Sequence, residues 1–107
     1  MKRVGLILGM VDEKENRYRE LHAAVWPDIL RIIKESNIEN YSIYLKDGYL
    51  FAYYEYTGDA YQADMAKMAR EPLMQKWWAE CMPCQRPVGS AQEGEWWAKM
   101  EEVFHLD

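Results

Sequence analysis

Ile38-Glu39-Asn40-Tyr41-Ser42-Ile43-Tyr44-Leu45-Lys46-Asp47-Gly48-Tyr49-Leu50-Phe51-Ala52-Tyr53-Tyr54-Glu55-Tyr56 is the stretch on which the fold turns. Tyrosines crowd both flanks of Asp47-Gly48, with isoleucines among them on the N-terminal side. A two-residue connection between strands needs positive φ, which Asp tolerates and Gly adopts freely. The pattern predicts two antiparallel strands, Ile38–Lys46 and Tyr49–Tyr56, joined by a tight turn. Toward the N-terminus, Val4 to Met10 reads as a strand, mostly apolar, with Gly5 and Gly9 lacking side chains where something could approach closely. Asp12 can cap a helix that starts near Glu13. Leu21, Val25, Ile29 and Ile32 carry its period to about Ser36, with Pro27 set to kink or break it. Toward the C-terminus, Asp59 can cap a second helix with Tyr61, Met65 and Met68 on one face. Pro72 suits the first turn of a third helix, which runs to about Met82 and stops at Pro83. Residues 83–95 read as an irregular surface segment, and Glu102 to Leu106 as a last strand.

The order is strand, helix, strand, strand, helices, strand. This is the split βαβ arrangement called ferredoxin-like, an α+β fold with an antiparallel sheet and helices on one face. Residues 1–107 form one domain in this reading. The sheet's second face is also apolar and needs cover, which predicts a homodimer packed sheet on sheet as a dimeric α/β barrel. With 50% hydrophobic residues the chain can build a core of its own. Thirteen Lys and Arg against eighteen Asp and Glu leave a net charge of −5 and no basic cluster, which excludes nucleic acid and anionic membrane as natural partners. No apolar run is long enough for a transmembrane helix, and no signal-peptide pattern opens the chain, so a cytoplasmic location is expected. Five Trp and eight Tyr against two Phe favour rings with a polar tip, the kind that grip an amphipathic small molecule.

Tyr18 and His22 are one helical turn apart, on the face that carries Leu21, Val25 and Ile29. Trp26 adds a ring to the same lane, and the Pro27 break frees polar backbone beside it. The plain alternative is a core histidine with one hydrogen bond. The functional one is an imidazole that takes or gives a proton near neutral pH. Trp77-Trp78 point about 100° apart on a helix, so at most one sits in the core. The pair reads either as one core and one interface residue or as a wall that stacks on a sugar ring. Trp96-Trp97 repeats the pair after a Gly-rich segment. Tyr41 and Tyr44 fall on opposite strand faces, as do Tyr53 and Tyr54. Cys81-Met82-Pro83-Cys84 is a C-x-x-C placed at a helix C-terminus, where the dipole raises a thiol's pKa, so inert thiols are expected. Too few further ligands accompany it for a zinc site, and phosphate-binding and nucleophile-elbow motifs are absent.

Tyr18-Arg19-Glu20-Leu21-His22, then Val25-Trp26-Pro27, Asn40-Tyr41-Ser42-Ile43-Tyr44, Trp77-Trp78 and Glu102-Val103-Phe104, together resemble the L-rhamnose mutarotase family. The resemblance runs through essentially the whole chain in the same order. It implies a dimeric ferredoxin-like enzyme, an isomerase interconverting the α and β anomers of a 6-deoxy-L-sugar without cofactor or metal. It further implies that His22 is the proton donor and that Tyr18, Tyr41, Trp77 and Trp78 line the sugar site. Cys81-Met82-Pro83-Cys84-Gln85 and Gly94-Glu95-Trp96-Trp97 depart from the rhamnose enzymes and resemble a subgroup associated with L-fucose. The sugar expected is therefore L-rhamnose or L-fucose. Since one scaffold hosts many chemistries, a ligand-binding module without turnover or an oxygenase is the competing class.

Overall fold

The Asp47-Gly48 turn has φ of 54° and 78°, both positive as a tight hairpin turn requires. It joins β2 (Ile38–Lys46) to β3 (Tyr49–Tyr56), with Lys46 opposite Tyr49 and Leu45 opposite Leu50. The computed structural model describes all of residues 1–107. In β2 the register slips between Glu39 and Ser42, because Asn40 adopts a φ of 49° and forms a β-bulge. Asn40 Nδ2 holds this bend by donating to Glu55 Oε1 at 2.6 Å. The extra residue lets Ile38 and Ile43, of opposite parity, both face the helices, and it sends Tyr41 inward beside Tyr54 at 5.4 Å between ring centroids.

β1 (Lys2–Met10) pairs antiparallel with the other edge of β3, and β4 (Gln85–Arg86) and β5 (Ala98–Met100) both pair with β1. The strand order β2-β3-β1-β4 is that of the ferredoxin-like fold. Gly9 permits the close approach of β4, since a Cβ there would lie 2.9 Å from the Arg86 carbonyl oxygen.

The first helix is divided, as Pro27 demands. α1 is Glu15–Ala23 and α2 is Pro27–Glu35, with Trp26 in extended backbone because a residue before proline avoids the helical region. Trp26 therefore does not continue the Tyr18–His22 lane; its ring packs edge-on to Trp77 instead. α3 is Tyr61–Arg70 and α4 is Pro72–Cys81, with Pro72 in its first turn. Neither expected aspartate cap forms. Asp12 opens a 3-10 turn, Asp12–Lys14, which moves the cap of α1 to Lys14. At α3 the Tyr56 hydroxyl accepts from the Ala60 N–H at 2.9 Å, taking the place intended for Asp59.

Inward-facing Val4, Leu8, Met10, Leu50, Ala52 and Tyr54 occupy alternate positions along β1 and β3. They meet a helical layer centred on Ile29, Ile32, Met74 and Trp77. The expected last strand over Glu102–Leu106 is absent. β5 lies earlier, and residues 101–107 leave the sheet with Val103, Phe104 and Leu106 exposed. These side chains find no apolar surface on their own chain, so nothing drives that segment into a ladder. The segment after Pro83 is largely irregular but does contribute β4.

Candidate active site

α1 and α4 stand over the inner face of the sheet and leave a cavity of about 360 Å³ between them and β1–β3. Tyr18, His22, Tyr41, Trp77 and Trp78, the five residues singled out from the sequence, all line it. Trp77 is buried and Trp78 half-buried, and both indoles border the cavity while packing against the helical core. No Asp, Glu, Lys or Arg lines the cavity.

His22 is half-buried on the last turn of α1. Its Nδ1 lies 3.0 Å from the Tyr18 carbonyl oxygen, one turn back. A carbonyl only accepts, so Nδ1 carries the proton and donates, which leaves Nε2 with a lone pair. The imidazole stacks on the Tyr18 ring at 4.1 Å and meets the edge of Trp77 at 5.4 Å. Desolvation lowers its pKa below 6.5, and the Tyr18 carbonyl, which favours the cation, offsets this only in part. At neutral pH His22 is therefore a neutral base with its orientation fixed.

The Tyr18 hydroxyl is buried without a hydrogen-bond partner. Burial raises its pKa, with a smaller contribution from Tyr41, so it stays a protonated phenol. Gln85 acts weakly the other way, without forming a hydrogen bond of ordinary geometry. Tyr41 stands in a wall shared with a second, more polar hollow of about 500 Å³ that also reaches His22 and Trp77. Part of its ring meets water there, while desolvation pushes its phenol up to about 12.

The cavity also takes in Tyr54, Gln85, Trp96 and Trp97. Period-2 alternation put Tyr53 and Tyr54 on opposite faces, but which of them faced a cavity depended on the sheet's register. Trp96-Trp97 carried a compositional signal without a placement, and Gln85 stood out only as the end of the departing Cys81–Gln85 stretch, with no role of its own. Cys81 ends α4 as expected, and burial pushes its thiol up to about 12, out of the range of a working nucleophile.

An uncharged aromatic cavity with one neutral imidazole suits a reaction that only moves protons. The comparisons with known proteins agree with that chemistry: the chain is a sugar isomerase of the mutarotase type. It belongs to the L-rhamnose mutarotase family, whose family model matches residues 3–106. An L-rhamnose mutarotase of Oceanobacillus iheyensis is 30% identical over 109 residues, covering 100% of both chains. Among solved structures, an L-rhamnose mutarotase from Formosa agariphila superposes with a TM-score of 0.77 at 22% identity, covering 100% of both chains. Tetracenomycin F2 cyclase from Streptomyces glaucescens superposes with a TM-score of 0.76 at 14% identity, covering 100% of this chain and 98% of that one. At these identities the structures establish the shared fold, and the cyclase shows that it carries other chemistry as well.

Proposed function

We propose that this protein interconverts the α and β anomers of a 6-deoxy-L-sugar, L-rhamnose or L-fucose, with His22 as the acid–base group. The observation that carries the proposal is the single tautomer of His22, whose free Nε2 belongs to a residue lining the aromatic cavity. Nε2 takes the proton from the anomeric hydroxyl as the bond from C1 to the ring oxygen breaks. The carbonyl forms at C1, and the imidazolium returns a proton to the former ring oxygen. Both oxygens start on the same carbon, so one imidazole within hydrogen-bond reach serves both transfers. Rotation about the bond to C1 and the reverse sequence close the ring on the other face. In closing, His22 takes the proton of the attacking hydroxyl and donates to the carbonyl oxygen, so it acts as proton donor in each direction.

The indoles of Trp77 and Trp78 supply apolar walls for the ring face and the methyl group, the Tyr18 ring completes the wall, and the Tyr41 phenol bonds hydroxyls. The protein works as a homodimer in the cytoplasm in this reading. No helix is long and apolar enough to cross a membrane, and the two thiols are free, as a reducing compartment keeps them. Saturation-transfer NMR on the anomeric protons of each sugar tests the activity. Exchange well above buffer is expected for at least one. Exchange of neither above buffer removes the proposal.

A further inference from the structure

Gln85 opens β4 opposite Met10 of β1, is 8% exposed, and lines the cavity. Its Oε1 accepts from Trp96 Nε1 at 2.9 Å. An indole N–H only donates, so this bond fixes which end of the carboxamide faces Trp96. The NH₂ end is left with no side-chain partner, and unlike the Tyr18 hydroxyl it is not sealed from the open space. The cavity is otherwise overwhelmingly apolar. The carboxamide NH₂ is thus a fixed donor without a side-chain acceptor in an apolar wall, where a ligand oxygen is the fitting partner.

We propose that Gln85, oriented by Trp96, is the specificity-determining group that reads the hydroxyl stereochemistry of the sugar. The inference rests on the mutarotase reading above and adds the residue that chooses among 6-deoxyhexoses. L-Rhamnose and L-fucose share their methyl group and differ in the configuration of ring hydroxyls. Apolar walls barely separate such isomers, whereas a fixed donor left unpaired by one of them rejects it strongly. Trp96 is a positioning residue, since its N–H dictates the amide's orientation.

The test compares wild type with Gln85→Met, which keeps the side chain's length and removes the amide, and Trp96→Phe, which keeps a ring and removes the N–H. Saturation-transfer NMR gives kcat and KM for each sugar, and circular dichroism checks the fold. Wild type is expected to prefer one sugar by at least about tenfold in kcat/KM. Gln85→Met should shrink that preference about tenfold, mainly by raising KM for the better sugar, as loss of uniform binding does. Trp96→Phe should shift it the same way by less, with the pH dependence of kcat unmoved. An active wild type that treats both sugars alike overturns the inference, as does a preference in Gln85→Met within about twofold of wild type. Should Gln85→Met fail to fold, Trp96→Phe decides by the same criterion. A wild type that exchanges neither sugar overturns the mutarotase reading, and this inference with it.

Discussion

At His22 one carbonyl and a desolvated pocket determine both the tautomer and the charge. Its pKa in the folded protein lies below the ordinary 6.5, with burial as the main cause. Between the two values the unfolded chain binds more protons than the native one, so stability rises with pH across that window. The His22 contribution is fully present above about 6.5 and is lost as the pH falls through the folded-state value. The same protonation occupies Nε2, so kcat/KM should fall on the acid side with an inflection below 6.5. His22→Asn is expected to lower anomer exchange by about 10²- to 10⁴-fold, flatten the acid limb, and leave sugar binding nearly intact. Saturation transfer from about pH 5 to pH 8, with Trp fluorescence reporting binding, measures all three. A variant that exchanges like wild type would remove His22 from the chemistry while leaving the family assignment standing.

Among the elements, the bulge in β2 decides where Tyr41 goes. Asn40 holds a φ of 49°, a region open to Asn and strained for β-branched residues. Asn40→Val should cost about 1–3 kcal/mol in denaturant unfolding and lower activity further by turning Tyr41 out of the cavity. Asn40→Gly keeps the conformation, loses the bond to Glu55, and should cost less. Equal stability for the two variants would show that the bulge does not depend on this backbone conformation. This bulge marks where legibility in the sequence ended. The Asp47-Gly48 turn, the Pro27 break and the Pro72 helix start were readable because each depends on local stereochemistry that one or two residues dictate. The bulge was not, because it arises from pairing β2 against β3, and only then do Ile38 and Ile43 face the same way. The lane from Tyr18 to His22 was readable at helical spacing. The place of Gln85 in the cavity was not, since it depends on the pairing of β4 with β1 and on Trp96 reaching it from the far end of the irregular segment. The aspartate caps failed because a 3-10 turn and a phenol from β3 reached the helix starts first.

Across the whole molecule, the second face of the sheet is the unfinished surface. Tyr44 is 66% exposed, and Phe51, its cross-strand partner, faces the same way between Tyr44 and Ile7. Beyond β5, Val103, Phe104 and Leu106 are 90%, 79% and 80% exposed, tethered by the Arg3–Glu102 ion pair at 2.7 Å. Scattered apolar residues on a surface mean little, but a sheet face continuous with an apolar tail is the signature of an interface. We propose a second copy as the cover, since a two-fold axis would set one such face against the other and bring the tail of each over its partner. An ion pair this exposed contributes little by itself, so the tail needs apolar contacts to stay in place. Light scattering at micromolar concentration should therefore give about twice 12.8 kDa. Tyr44→Glu puts a charge on the apolar face that a second copy would cover, where desolvating it is costly, and should shift the mass toward one copy. Truncation after Met100 should weaken the dimer more mildly, since it removes the tail and leaves the sheet face. A wild type that scatters as a monomer at these concentrations would refute sheet-on-sheet packing. A dimer indifferent to both changes would place the interface on the helical side instead.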